Sequence, residues 1–423
     1  MANKLAVIGN GFDLHLNITS SFTDFLKSDI VQKNSIFDEN INEKYQQLDR
    51  ISNLLDNGNE QEYKDQISYL IESHLIFNQI SPFENIKIEQ ESNYWCCYFQ
   101  YLSKFPNFTN DQDQFSISSS QIHLKNWSDI EFQIQYLLEN SKEIFNTFNI
   151  LQKLDEKYGY TSNQSEIKKA SDKLYKSLTN NNTISYKNVL NLIHLQLAIK
   201  TGWNFRKQSI YDYLFAELIN LENIFKDYLK KIIPDNYEIK AKKLAQKITE
   251  SDDFNLFNFN YTTFYDSKDI TKTNVHSTLK DSDHPIFGIS TNSLSGKKNY
   301  DEPYYKFTKT FRIMTLSKSN ALKDTLPENI DEVIFYGHSL SSIDYLYLKT
   351  ILDKYINELD NMKIKLTFKY SNYEDNGRFH NMEQNQLISI FKLFNIFDSE
   401  NTSKSTFQKL LLEHRINIKE LED

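Results

Sequence analysis

The stretch LAVIGNGFDLHL, residues 5–16, ends an apolar run on two glycines one residue apart, in a chain with only nine glycines among 423 residues. Glycine serves where a Cβ would block the backbone, either in a tight turn or where main-chain amides must approach a ligand. Placed after a buried strand and before a helix, Gly9-Asn10-Gly11 has the form of a loop that cradles a phosphate. There the following helix N-terminus favours the anion. The alternative is a plain strand-to-helix turn. Gly288 after "PIF" and Gly337 after "VIFY" repeat the arrangement, so four of the nine glycines close short apolar runs. That recurrence favours a nucleotide site at the carboxyl ends of parallel strands. Asp13, two residues past the second glycine, would contact a ribose or satisfy the turn.

Further polar residues stand at strand-like ends. In FNFNYTT, alternation puts Asn258 and Asn260 on one side, with Asn260 at the strand end, where a carboxamide can orient a water or a ribose hydroxyl. The commoner use of such an asparagine is to satisfy loop backbone. His276 ends the run in NVHS and is either a structural histidine or a general base near neutral pH. GHSLSSID supplies Gly337, His338, Ser339 and Asp344; Ser339 is a dinucleotide contact or a helix N-cap. Asp129 and Glu131 in NWSDIE read as first-turn acids that complement a helix dipole. The nine histidines are scattered without a metal-binding spacing, and no Gly-x-Ser-x-Gly elbow or Gly-Lys-Ser/Thr loop occurs. No metal site is expected.

These residues require a sheet to hold them. Runs at about 5–8, 254–259, 273–276, 286–289, 333–336 and 363–370 read as strands of one mostly parallel sheet, with an amphipathic helix after Asp344. Residues 37–251 carry apolar positions at three- and four-residue spacing and read as helical. The expected architecture is α/β: a discontinuous Rossmann-like domain formed by residues 1–36 and 252–423, interrupted by a helical insertion over 37–251. With 39% apolar residues but 30 Phe and 26 Tyr, the chain can build a large core. A net charge of −9, from 57 acidic and 48 basic residues, argues against a general nucleic-acid surface. No apolar stretch approaches the roughly 20 residues of a membrane span. The two cysteines, Cys96 and Cys97, are adjacent, which disfavours a disulfide framework and points to a reducing, cytoplasmic setting.

VIGNGFDLHL, NWSDIE, FNYT, VH and YGHSLSSID, in this order, resemble the AbiH family of bacterial abortive-infection proteins from residue 5 to about 350. The opening Gly-Asn-Gly-Phe-Asp is the most specific part. Members typically continue with Gly-Leu and a Thr-Ser-Tyr-like segment; NITSSF keeps Thr19 and Ser20 without the glycine. The family's His-Gly is here His276-Ser277. The same set is similar to a divergent sirtuin-type, NAD-binding Rossmann domain. That likeness implies that Gly9, Asn10 and Gly11 form the phosphate loop and that Asn260 and His276 are the catalytic pair. It also implies that Asp13, Gly337, Ser339 and Asp344 lie around the dinucleotide. Thr262 stands where that group usually has Asp, and two cysteines cannot make the four-cysteine zinc ribbon of its deacetylases.

The resemblance therefore implies an anti-phage effector that hydrolyses NAD at the nicotinamide–ribose bond. NAD is then substrate, and the transition state is a ribosyl oxocarbenium ion stabilised by positioning and electrostatics. Two alternatives stand beside it: a nucleotide-binding sensor without catalysis, and a nuclease or other nucleotide hydrolase. The last should show a metal-binding carboxylate cluster, which the sequence lacks. The helical insertion would serve as lid, homo-oligomer interface or surface that senses a phage protein. No membrane partner is expected.

Overall fold

The structure, a computed structural model, describes residues 3–35, 39–56, 92–104, 129–139, 186–204, 207–264, 271–276, 285–289, 303–316, 326–341, 344–358, 363–375, 378–380, 382–400 and 406–421, with a few isolated positions between them. The chain forms two compact units. One comprises residues 1–24, 225–297 and 308–423, and the other residues 25–224 and 298–307.

The first unit is built on six strands: β1 (Lys4–Ile8), β2 (Asn255–Asn258), β3 (Lys272–Asn274), β4 (Glu332–Tyr336), β5 (Lys365–Tyr370) and β6 (Ile416–Glu420). All five pairings are parallel, and the spatial order is 3-2-1-4-5-6. This is the doubly wound order of Rossmann-like folds, with its switch point between β1 and β4. Parallel strands covered on both faces are apolar at successive positions, and alternation deals those side chains to two cores. Leu5, Val7, Val333, Phe335, Leu366 and Phe368 enter one core, with Tyr345, Leu348, Ile351 and Leu352 of the Tyr345–Leu352 helix. Ala6, Ile8, Leu256, Ile334 and Tyr336 enter the other, with Phe12 and the Tyr237–Thr249 helix. The chain thus leaves β1 toward one face and β4 toward the opposite face.

Three sequence expectations change here. Residues 286–289 do not join the sheet; Ile289 makes only an isolated bridge to Thr308. This apolar run is buried through ring contacts instead, with Phe287 against Phe225 and Tyr261. Conversely, β6 completes the sheet beside β5. Its alternation of Ile416 and Ile418 with Asn417 and Lys419 marks a half-exposed edge strand, a weaker signal than a continuous apolar run. Residues 225–249, expected in the helical insertion, group with the sheet unit because Tyr237, Ala241, Leu244, Ala245 and Ile248 cover one of its faces.

The second unit is helical throughout its described elements, including Glu39–Asp56, Tyr94–Lys104, Tyr186–Lys200 and most of Ile210–Ile232. The Tyr94–Lys104 helix buries Tyr94, Trp95, Cys96, Cys97, Tyr98 and Phe99. Both cysteines are free thiols. Glu217 binds the helix start, accepting from the Tyr94 backbone N–H at 2.8 Å and from Asn93 Nδ2 at 3.0 Å. Among the described residues, no helix is long and apolar enough to cross a membrane.

Candidate functional site

Register sets the site. Ile8, Asn258, Asn274 and Tyr336 lie side by side at the ends of their strands, so the residues that follow each emerge along one edge of the sheet. That edge receives Gly9 to Gly11, Phe259 to Thr262, Val275 with His276, and Gly337 to Leu340.

The glycines act as a pair of interlocked loops. The Gly9 N–H donates to Tyr336 O at 3.0 Å, and the Gly11 N–H donates to Gly337 O at 2.8 Å. A Cβ on Gly11 would lie 2.6 Å from Gly337 Cα, and one on Gly337 would lie 2.4 Å from Phe12 N. Gly337 also has φ of +66°, a conformation that favours glycine. In this structure the two amides anticipated for phosphate are engaged by the β4 loop. What the glycines supply here is close approach of two strand-end loops at the switch point. Asn10 begins the short Gly11–His15 helix, and its Oδ1 accepts from Ser20 Oγ at 2.8 Å.

Asp13 is buried, and its side chain reaches beyond its own turn. Its carboxylate accepts from Tyr237 Oη at 2.6 Å and from Thr262 Oγ1 at 2.8 and 3.1 Å. Burial pushes its carboxyl up to about 6, against the lowering effect of those two donors. Asp13 thereby ties the β1 loop to the segment after β2. Asn258 shapes that same segment, donating to Thr262 O at 2.7 Å and Asn274 Oδ1 at 3.0 Å while accepting the Asn260 N–H at 2.9 Å.

Two polar atoms at this edge are buried without a hydrogen-bond partner: Asn260 Nδ2 and His276 Nδ1. Asn260 is 4% exposed and His276 6%. Buried polar groups are nearly always paired, and one left unpaired costs about 1–3 kcal/mol. His276 lies among the rings of Phe259, Tyr261 and Tyr347, with centroids 5.8, 5.8 and 6.2 Å away. Burial, with Lys309 adding repulsion, brings its imidazole down to about 4, so it is neutral at pH 7.

On its other side His276 meets a charged group. Asp344 Oδ1 lies 3.6 Å from His276 Nε2 and 2.8 Å from Lys309 Nζ, while Oδ2 lies 3.6 Å from His338 Nε2. Burial works to raise the Asp344 carboxyl, but Lys309 and the two imidazoles outweigh it and hold it well below the usual range. Ser339 is exposed and caps no helix; Asp344 occupies the N-cap position of the Tyr345–Leu352 helix, because residues 337–341 remain irregular. Asp129 and Glu131 lie within the described helical residues 129–139 of the other unit, and Glu131 is buried.

Lys309, a residue of the Lys309–Leu316 helix, stands in no motif of the sequence, and His338 reads there as a strand-end residue or a first-turn residue of the following helix. The one available signal was Lys309 and Arg312 at three-residue spacing, both buried; Arg312 Nη1 donates to Phe287 O at 2.8 Å. Among the described residues, no group of three His, Cys, Asp or Glu is arranged to hold a metal ion.

The order of strands, the two loops at the switch point and the polar residues beside them define an α/β protein of the doubly wound class, with a strand-end site. The chain belongs to the AbiH family, described as bacteriophage abortive infection AbiH, whose model matches residues 5–370. That match spans β1 through β5 and carries a role in abortive infection with it. No curated protein and no solved structure matches the chain significantly.

Proposed function

We propose that the protein performs its abortive-infection role by binding NAD at the strand-end site and hydrolysing the nicotinamide–ribose bond. The observation that carries this reading is the pair of buried, unpartnered polar atoms, Asn260 Nδ2 and His276 Nδ1, beyond the ends of adjacent strands in a 3-2-1-4-5-6 sheet. Asn260 Nδ2 is a donor and His276 Nδ1, in the Nε2–H tautomer, an acceptor, which suits a ribose hydroxyl and an attacking water. In the reaction the water oxygen bonds to C1′ as the C1′–N bond breaks. The bonding pair passes to the pyridinium nitrogen, and nicotinamide leaves neutral. The water proton passes to His276 Nδ1 and then to solvent. An imidazole held at about 4 is a weak base, and this chemistry asks little of it, because an oxocarbenium-like transition state precedes most of the proton loss.

A second reading, a nucleotide sensor that does not cleave, is favoured by the weak basicity of a His276 imidazole held down to about 4. Purified protein incubated with NAD, with and without phage lysate, and followed chromatographically for nicotinamide separates the two. Release of nicotinamide and ADP-ribose is expected. His276→Ala and Asn260→Ala should lower it by roughly 10²–10⁴-fold with little change in melting temperature. NAD binding without release by the wild type would favour the sensor, and full phage protection by stable His276→Ala protein would end the catalytic role of that residue.

A further inference from the structure

Beyond the two residues that would touch substrate, the site holds a buried group whose geometry has a definite consequence for His276. We propose that Asp344, Lys309 and His338 are positioning residues that hold His276 in its Nε2–H tautomer, leaving Nδ1 as the acceptor. Only the kinetic arm of this proposal rests on the hydrolase reading.

The backbone N–H of Leu340 donates to His338 Nδ1 at 2.9 Å. A ring nitrogen that accepts carries no proton, so the neutral ring has its proton on Nε2. That Nε2 faces Asp344 Oδ2 at 3.6 Å. The bond depends on Leu340 adopting φ of +53°, an uncommon conformation for a branched residue that surrounding structure must maintain. His338 is further held by Phe259, whose ring centre is 4.2 Å away.

With Oδ2 facing His338, Oδ1 is left to Lys309 and His276. Lys309 Nζ contacts it at 2.8 Å from a side chain only 5% exposed. A buried carboxylate without a cation would take up a proton; Lys309 keeps Asp344 ionised and therefore an acceptor. His276 Nε2 lies 3.6 Å from the same oxygen, a distance that such contacts commonly show before substrate tightens them. An anionic acceptor beside Nε2 favours the proton there, and Nδ1 is the nitrogen that remains unpartnered. The arrangement follows the general logic of a carboxylate that fixes an imidazole tautomer through one nitrogen and frees the other.

Among the described residues, the charged and titratable groups facing His276 are Lys309, Asp344, His338 and the hydroxyl-bearing rings of Tyr261 and Tyr347. Replacing Lys309 with a neutral residue lets Asp344 take up a proton, so the anionic acceptor that favours the His276 proton on Nε2 is lost.

The test is long-range proton–nitrogen correlation spectroscopy of full-length protein labelled on histidine nitrogen, with His276 assigned by its absence in His276→Gln. At pH 7 the wild type should show His276 protonated on Nε2 alone. Lys309→Gln should lose the preference for Nε2–H and show His276 protonated on Nδ1 as well, and Lys309→Arg should restore the wild-type spectrum. In the kinetic arm, Asp344→Asn should lower kcat for nicotinamide release by roughly 10²-fold or more at nearly constant KM. A proton on His276 Nδ1 in the wild type overturns the proposal without any variant, as does an Nε2–H tautomer unchanged in folded Lys309→Gln. If no NAD is cleaved but the spectra behave as expected, the hydrolase reading fails and the positioning assignment stands.

Discussion

At the residue scale, Asp13 and His276 respond to burial in opposite directions, and each gives a testable pH dependence. Asp13 has its carboxyl raised from the ordinary 3.8 to about 6, chiefly by burial. Between those values the folded chain holds a proton that the unfolded chain has lost, so this residue's contribution to stability falls as pH rises through the window. The size of the effect is about 3 kcal/mol, complete above pH 6. Asp13→Asn should therefore lose part of this pH dependence. Its melting temperature relative to wild type is expected to rise from pH 4 to pH 7, and a difference constant with pH would show that Asp13 does not titrate as described. His276 runs the other way. Its imidazole is lowered from 6.5 to about 4, so the neutral form is preferred in the fold. Stability from this residue is full above 6.5 and is lost as pH falls toward 4.

The element scale belongs to the two loops at the switch point. The loop after β1 and the loop after β4 touch through backbone alone, with Gly11 N bonded to Gly337 O and no space for a side chain at either position. Gly11→Ala would place its Cβ 2.6 Å from Gly337 Cα, and the obstacle is main chain rather than a movable side-chain tip. Gly337→Ala adds a positive φ to a contact with Phe12 N. Each substitution should destabilise the protein by on the order of 3 kcal/mol or more, measured by denaturant unfolding. Wild-type stability in Gly11→Ala would mean that the loops separate without penalty, and the close approach would then have no structural importance.

For the whole molecule, the sheet outlasts the family match. The AbiH model ends at residue 370, the last residue of β5, yet β6 pairs with β5 along five residues and follows helices that contribute Ile390, Leu393, Phe394, Phe397 and Leu410 to the core. Removing everything after residue 370 would bare the edge of β5 and one face of the sheet. Such a chain should be aggregated or unfolded when purified, because an apolar, unpaired parallel edge is an association surface. A monomeric truncated protein with the wild-type melting temperature would show that the last strand and its helices are dispensable.

The sequence by itself determined the apolar β1 run, the change of hydrophobic period that separates strand-rich ends from a helical middle, and the glycines that close β1 and β4. These are local properties, written in the spacing of neighbouring residues and in how few glycines the chain has. The AbiH signature was legible for the same reason, since its motifs are short and occur in a fixed order. Tertiary structure decided the rest. It excluded residues 286–289 from the sheet and admitted 416–420, because pairing depends on which edges are open rather than on apolar content. It joined Asp13 to Tyr237 across 224 positions and Lys309 to Asp344 across 35. No local pattern encodes such partners; strand register sets His276 and His338 beyond the ends of β3 and β4, and two helix starts bring Lys309 and Asp344 to them, with the electrostatics of the site.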